Sequence, residues 1–241
     1  MISDVHNIDC MEYMKTCPDK FFDLAVVDPP YGINAPNMNM GESKGYLSTA
    51  TKLRKGRLNS GGGHMKNRPL TTMQCDWDFE PPKQEYFDEL FRVSKNQIIW
   101  GGNYFPLPPT RCIICWDKIQ PWENFSQIEL AWTSFDYPAK LVRISTRGGD
   151  NVKERIHPTQ KPVSLYAWIF KNFATSGDKI LDTHLGSQSS RIAAYFAELD
   201  FYGCEIDKNY FLSGCERFDR ECKDIIKING HEIIEQHLFE M

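Results

Sequence analysis

The chain has 241 residues, of which 41% are apolar, a size and composition that fit one well-packed α/β domain. Its formal net charge of −4 excludes a uniformly basic nucleic-acid-binding surface. No apolar run approaches the length that crosses a bilayer and no secretion signal opens the chain, so we expect a cytoplasmic protein with no membrane partner.

The first predicted elements form a β-α-β unit: a strand at Asp4 to Asp9, a helix at Cys10 to Thr16 and a strand at Asp23 to Asp28. The second strand lies in the sequence FDLAVVDPPYG, where an apolar run meets an acid and two prolines. Because proline cannot donate a hydrogen bond to a sheet, this strand must end at about Asp28. We expect a stiff turn there.

A basic, glycine-containing segment follows, and we expect it to be a flexible insertion at about residues 35–72. Between Gly41 and Leu70 it has seven basic residues against the single acid Glu42. This local excess of positive charge suits contact with a polyanion. The alternative is a solvated loop with no partner. The predicted phosphate contacts are Lys52, Arg54, Lys55 and Arg57.

The middle of the chain predicts a helix within Pro81 to Ser94 and strands at Gln97 to Trp100, Cys112 to Trp116 and Ile128 to Trp132. The last two strands are close enough to be antiparallel neighbours. Eight cysteines without a regular spacing indicate buried thiols rather than disulfides. The one C-x-x-C pair lies in a predicted strand, where residues three apart face opposite sides, and we predict no metal site.

The second half alternates strands and helices, after an irregular stretch at residues 136–156. We predict a helix from Pro162 to about Phe173, a strand at Asp178 to Asp182, a helix at Gln188 to Leu199 and a strand at Phe201 to Glu205. Repeated β-α-β units imply a mostly parallel sheet with helices on both faces.

Four acids are placed as the last residues of predicted strands: Asp9, Asp28, Asp182 and Glu205. Ligands of such sheets bind beyond the carboxyl ends of the strands, so these acids should line one crevice, although any one of them could cap a helix. The turn LDTHLGS resembles a nucleotide-binding turn, and Glu205, 23 residues after Asp182, is placed to bind a ribose. No lysine follows Gly186 as in a phosphate-binding loop, and the acids favour a sulfonium cation, which points to S-adenosylmethionine.

The motif Asp28-Pro29-Pro30-Tyr31 resembles the catalytic motif of the amino-group DNA methyltransferases, which methylate adenine N6 or cytosine N4. HPTQKP at residues 157–162, LDTHLGS and YGCEID resemble the family's later motifs, and IDCMEYM resembles its cofactor-adenine motif. This order is that of the beta group. The resemblance implies an S-adenosylmethionine-dependent, Rossmann-like fold with circularly permuted motifs, in a single domain 1–241 with a target-recognition region at about residues 117–155.

The resemblance also implies roles for residues at both ends of the site. At the target end, Asp28 and the Pro29 carbonyl would accept the two hydrogens of the exocyclic amine, Pro30 would stiffen the turn, and Tyr31 would stack on an extruded base. At the cofactor end, Asp9 would bind the adenine amine, Glu205 the ribose and Asp182 the methionine ammonium. The remaining implied cofactor contacts are Cys10, Asp28, Thr159, Lys161, His184, Gly186, Ser187, Gln188, Ile206 and Asp207. Lys161 has the alternative interpretation of a surface charge, and His184 that of a packing residue.

Three residues of the cofactor turn depart from the family pattern, namely Thr183, His184 and Gln188, the last standing where a second glycine is usual. We expect Gln188 to lie in the first helical turn with unstrained geometry, its amide covering the cofactor or facing solvent.

The leading prediction is transfer of a methyl group to adenine N6 in DNA. The alternatives are N4-cytosine methylation and a non-catalytic, cofactor-binding subunit of a methylase complex. The expected partners are DNA and, as further candidates, a second copy of the chain and a cognate restriction enzyme.

Overall fold

The computed structural model describes residues 1–33, 80–120, 126–146 and 155–222, and the backbone of 225–228 and 231–234. Its strands are β1 (Ser3–His6), β2 (Phe22–Val27), β3 (Ser94–Trp100), β4 (Ile113–Asp117), β5 (Ile128–Thr133), β6 (Lys140–Arg143), β7 (Lys179–Asp182), β8 (Asp200–Cys204), β9 (Ile225–Ile228) and β10 (His231–Ile234). Its helices are α1 (Cys10–Thr16), α2 (Gln84–Val93), α3 (Val163–Phe173), α4 (Ser189–Phe196) and α5 (Lys208–Cys222).

The first eight strands form one sheet in the order β1-β8-β7-β2-β3-β5-β4-β6. The five strands from β1 to β3 in this order are mutually parallel, β5 is antiparallel to both neighbours, and β4 and β6 pair in parallel. The predicted mostly parallel sheet is confirmed, as is the antiparallel pairing of the strands around Cys115 and Leu130. Strands β9 and β10 form a separate antiparallel pair.

Helices cover both faces of the parallel part, which explains the continuous apolar run of β2. Leu24 and Val26 pack into a cluster with residues of α3 and α4, whereas Ala25 and Val27 pack into a second cluster with residues of α1 and α2. All four side chains are buried. A strand buried on both sides needs apolar residues at every position, and the prediction of a buried strand before the proline turn is confirmed.

The structure corrects some predicted elements. Strand β1 ends at His6, so Asp9 is not a strand end but the N-cap of α1, where its Oδ1 accepts from the backbone N–H groups of Met11 at 2.8 Å and Glu12 at 3.2 Å. The stretch at 136–156, predicted to be irregular, contains β6. Helix α5 was not predicted.

The carboxyl ends of β1, β8, β7 and β2 lie side by side at one edge of the sheet. Since β5 is antiparallel to β3, its beginning lies at that same edge, and Glu129 near its start is brought there. None of the helices in the described ranges has the length and apolar character that a membrane span requires.

Candidate active site

A cleft opens at this edge of the sheet, bounded by the segments that follow β1, β2, β7 and β8 and by the segment before α3. Of the predicted site residues, those lining the cleft are Asp9, Cys10, Asp28, Pro30, Thr159, Lys161, His184, Gly186, Ser187, Glu205, Ile206 and Asp207. The structure thus brings together most of the side chains that the sequence singled out. Pro29 is buried and does not line the cleft. Lys52, Arg54, Lys55 and Arg57 lie outside the described residues, so their predicted DNA contacts stay predictions.

Asp182 lies beneath the turn that follows β7 and is not among the cleft-lining residues. Its Oδ1 accepts from the His184 backbone N–H at 3.0 Å, and its Oδ2 accepts from the Ser190 hydroxyl at 2.5 Å. Burial raises the pKa of Asp182 to about 7. The structure uses this carboxylate to fasten the turn to the start of α4, and its role toward a methionine ammonium stays a prediction.

Glu205 joins the two segments that form the floor of the cleft. Its Oε2 accepts from the Gly186 backbone N–H at 2.8 Å, and its Oε1 accepts from that of Asp207 at 3.0 Å. Burial raises the pKa of this carboxyl group. Both oxygens face the region between the turn after β7 and the segment after β8, so the acid is held rigidly at the cleft.

The expectation for Gln188 was wrong. The residue precedes α4 as its N-cap with φ 58° and ψ 25°, a left-handed conformation that favours glycine, and it is fully buried. Its side chain points away from the cleft, since Nε2 donates to the Phe211 carbonyl at 3.2 Å and Oε1 accepts from Arg191 at 2.8 Å. A Cβ on Gly214 would lie 2.7 Å from the Gln188 Cγ, so this glycine makes the space that the glutamine occupies.

The other two departures from the family pattern belong to one hydrogen-bonded chain. The Tyr86 hydroxyl lies 2.7 Å from the Thr183 hydroxyl, which lies 2.9 Å from the His184 Nδ1. Burial lowers the pKa of His184 to about 4, so the imidazole is neutral at pH 7. His184 packs edge-on against Tyr86 while lining the cleft, and the packing and the ligand interpretations are compatible.

The end of the cleft that the resemblance assigns to the target base is built around Asp28. Its Oδ2 accepts from the Lys161 Nζ at 2.5 Å, and its Oδ1 accepts from the Tyr31 hydroxyl at 2.7 Å. Lys161 is only 5% exposed, so the alternative that it is a surface charge is wrong. Burial raises the pKa of Asp28, with Glu129 adding to the rise and Lys161 opposing it.

Glu129 is a site residue that the sequence did not reveal. Its Oε1 lies 2.7 Å from both the Tyr31 hydroxyl and the Lys161 Nζ, and its Oε2 lies 2.7 Å from the Lys118 Nζ. Burial opposes ionisation, but the two lysines outweigh it and lower the pKa of Glu129 to about 2. The group therefore brings together two acids, Asp28 and Glu129, and two lysines, Lys118 and Lys161.

The Tyr31 ring is fixed as firmly as its hydroxyl. It stacks on Tyr104 with centroids 5.0 Å apart and an interplanar angle of 14°. Gly101, with φ 69°, approaches the ring so closely that a Cβ there would lie 2.2 Å from the Tyr31 Cε1. Tyr104 covers one face of the ring that we expected to meet an extruded base, and that stacking role stays a prediction.

The model of the DNA methylase family matches residues 77–216, more than half of the chain. The chain belongs to the DNA methylase family. It is 22% identical over 244 residues to the type II methyltransferase M.BglII from Bacillus subtilis, covering 87% of this chain and 67% of that protein. It is also 22% identical over 259 residues to the type II methyltransferase M2.MboI from Moraxella bovis, covering 93% and 90%.

Solved structures have the same fold. The M1.HpyAVI complex with S-adenosylmethionine superposes with a TM-score of 0.55 at 16% identity, covering 91% of this chain and 100% of that one. The cytosine-N4-specific PvuII DNA methyltransferase gives a TM-score of 0.56 at 14% identity, covering 90% and 87%. The expected methyltransferase fold and the expected family are both confirmed.

Proposed function

We propose that this DNA methylase transfers the methyl group to the N6 amine of adenine. The observation that carries the proposal is the position of Asp28, whose carboxylate lies at the end of β2 beside Tyr31 and lines the same cleft as the predicted cofactor residues. The N6 amine is a poor nucleophile because its lone pair is delocalised into the ring. Acceptors placed where its hydrogens gain positive charge would favour the transition state.

S-adenosylmethionine is the methyl donor, and the chemistry of the cleft fits it. The cleft is lined by four acidic side chains and one lysine, with two histidines whose pKa values burial lowers to about 3 for His157 and about 4 for His184. This excess of negative charge suits a ligand that carries a sulfonium and an ammonium group. Ile206, 65% exposed at the cleft, offers an apolar surface for a ring. When bound, the cofactor supplies an electrophilic methyl group on a positively charged sulfur.

The cofactor residues divide by chemistry. Carboxylates accept hydrogen bonds, so Asp9 is assigned to an adenine amine, and Glu205 and Asp207 to ribose hydroxyls. Asp9 accepts the two helix-capping hydrogen bonds on Oδ1, so its Oδ2 is the oxygen assigned to the adenine amine. The residues assigned to contact the adenine ring of the cofactor are Cys10, His184 and Ile206. Those assigned to its methionine end are Thr159, Gly186 and Ser187.

At the target end, Asp28 and the Pro29 carbonyl would accept the two hydrogens of the amine, and Pro30 would keep the turn rigid. Tyr31 and Tyr104 provide aromatic surface for a base taken out of the duplex, an extrusion that costs a few kcal/mol. The motif's aspartate favours adenine over cytosine by the family's tendency. The likeness to the cytosine-N4-specific enzyme lies at 14% identity and supports the fold alone. The homodimer and the cognate restriction enzyme stay predictions.

The decisive experiment measures methyl transfer from radiolabelled S-adenosylmethionine to mixed-sequence duplex DNA, followed by nucleoside analysis. We expect label in N6-methyladenine, with none from the Asp28→Ala variant. Label in N4-methylcytosine alone would contradict the proposal in favour of the second chemistry. Cofactor binding by calorimetry with no incorporation would instead indicate a non-catalytic subunit.

A further inference from the structure

Both carboxylate oxygens of Asp28 already accept hydrogen bonds from the protein. Lys161 donates to Oδ2 at 2.5 Å and Tyr31 donates to Oδ1 at 2.7 Å. A substrate amine must share or replace one of these donors. An ammonium group that remained on Asp28 would also repel the positive charge that develops on the amine nitrogen during methyl transfer. The site therefore needs a second hydrogen-bond acceptor for Lys161 and Tyr31.

Glu129 is this second acceptor, and Lys161 and Tyr31 can reach it without a large movement. Its Oε1 lies 2.7 Å from the Lys161 Nζ and 2.7 Å from the Tyr31 hydroxyl. The ammonium group of Lys161 therefore already bridges the two acids, and the hydroxyl, which has one proton, can donate to either of them. A lysine buried to 5% exposure could not leave Asp28 for solvent, and it would be unpaired without Glu129. Lys118 holds the other oxygen of Glu129 at 2.7 Å and keeps this acceptor in position.

On the basis of the function proposed above, we propose that Glu129 is a positioning residue that retains Lys161 and Tyr31 while the substrate amine takes their place on Asp28. The exchange breaks no covalent bond: the Lys161 Nζ and the Tyr31 hydroxyl keep their protons and change their hydrogen-bond acceptor from Asp28 to Glu129. Glu129 does not touch the substrate. It acts by accepting hydrogen bonds from Lys161 and Tyr31, which leaves Asp28 available to the substrate amine.

The test compares single and double variants in steady-state methyl transfer to DNA. Glu129→Gln keeps the shape but removes the charge that attracts Lys161, so the ammonium group should stay on Asp28. We expect kcat to fall about 30-fold, equivalent to about 2 kcal/mol, with the calorimetric Kd for S-adenosylmethionine within about twofold of wild type. Glu129→Asp should recover part of the loss, because it restores the charge.

The double variant separates this role from a purely structural one. In Glu129→Gln/Lys161→Met no lysine can stay on Asp28, so we expect its kcat to equal that of Lys161→Met alone. The double variant removes one positive and one negative group, so the net charge of the site is unchanged, which keeps the test available if Glu129→Gln does not fold. Glu89→Gln is the matched control, since it removes an ion pair with Arg92 at 2.8 Å on α2, and its kcat should be unchanged.

The positioning role would be overturned by an unchanged kcat in Glu129→Gln, or by a loss in the double variant equal to the product of the two single losses. Those outcomes require an active wild type and leave the proposed function standing. A wild type that binds cofactor but methylates no DNA contradicts the proposed function, and the positioning role falls with it.

Discussion

The acids at the two ends of the cleft are held by different kinds of donor. At the end proposed for the cofactor, Asp9 and Glu205 accept from backbone N–H groups. Asp182, beneath the turn at this end, accepts from one backbone N–H group and a buried serine. At the target end, Asp28 accepts from two side chains, Lys161 and Tyr31. Backbone donors cannot leave without unfolding the loop, whereas side-chain donors can change partners.

The charge balance differs in the same way. The acids of the cofactor end have no lysine or arginine among their hydrogen-bond donors in the described part of the chain, and the nearby histidines are neutral. At the target end, Lys118 and Lys161 balance Asp28 and Glu129. A rigid pocket with excess negative charge suits a cationic ligand that enters from solvent. A group of balanced charge, whose side-chain donors can change partners, suits a neutral amine that becomes charged only during the reaction.

Asp28→Ala should give the largest effect. We expect kcat to fall by about 10³-fold or more, about 4 kcal/mol, because the variant removes the acceptor that we propose for the reacting amine. The calorimetric Kd for S-adenosylmethionine should stay within about threefold, since the cofactor acids are held separately. A loss of cofactor affinity as large as the loss of rate would place Asp28 at the wrong end of the cleft.

Glu205→Gln should have the opposite signature. The variant removes the charge that accepts from Gly186 and Asp207, and hydrogen bonds to charged groups contribute about 1.5–3 kcal/mol. We expect cofactor affinity to fall about 100-fold, about 2.7 kcal/mol, with kcat at saturating cofactor nearly unchanged. Calorimetry and saturation kinetics measure the two quantities, and Glu216→Gln on exposed α5 surface is the control. A fall in kcat without a change in Kd would contradict the assignment of Glu205 to cofactor binding.

Acid should destabilise the cofactor end through its neutral histidines. Burial lowers the pKa of His184 to about 4, so the unfolded chain binds a proton at higher pH than the folded chain does. The stabilisation is complete above the unfolded value of about 6.5 and is lost as pH falls toward 4, with about 2 kcal/mol gone by pH 5. Denaturant unfolding at pH 7 and pH 5 should show this loss reduced in His184→Gln and unchanged in His6→Gln, which alters an exposed histidine. Equal losses in wild type and His184→Gln would contradict the assignment.

Tyr31→Phe tests the exchangeable donors directly. The ring and its stacking on Tyr104 remain, but the hydroxyl that binds Asp28 and Glu129 is lost. We expect kcat to fall about tenfold, or about 1.4 kcal/mol, and Tyr31→Ala to fall further because it also loses the ring. If phenylalanine is as active as tyrosine, stacking alone explains the residue. If it is as poor as alanine, stacking has no role.

The sequence predicts the elements whose signals are local. Helix α1 was predicted with its exact ends, and β2 was predicted from four apolar residues before two prolines. Asp28, Asp182 and Glu205 could be placed at one edge of the sheet because each ends or directly follows a recognisable strand. Glu129 could not be found in this way, since it meets Tyr31 from 98 residues away through the antiparallel β5, and no local motif surrounds it. Strand β6 was missed because four residues at a sheet end carry too short a pattern.

Gln188 shows how a local rule can give the wrong backbone. An L-residue in the left-handed region costs about 1–2 kcal/mol. We therefore expected Gln188 to have ordinary helical backbone angles. The expectation failed because buried partners from α5 and Arg191 hold the side chain and offset that cost. The turn therefore has the left-handed conformation that favours glycine although a glutamine stands there.

The smallest effect is therefore expected for Gln188→Gly. Glycine removes the left-handed strain but also removes hydrogen bonds to Phe211 and Arg191 that lie behind the cleft wall, and these changes oppose each other. We expect the calorimetric Kd for S-adenosylmethionine to change by less than about tenfold, or about 1.4 kcal/mol. Gln188→Ala is the matched variant, because it loses the same hydrogen bonds but keeps the strain, and it should be less stable than Gln188→Gly in denaturant unfolding by about 1 kcal/mol. A wild type that binds no cofactor until glycine restores binding would show that the glutamine disables the cleft, and it would contradict the view that the cofactor end is rigidly preformed.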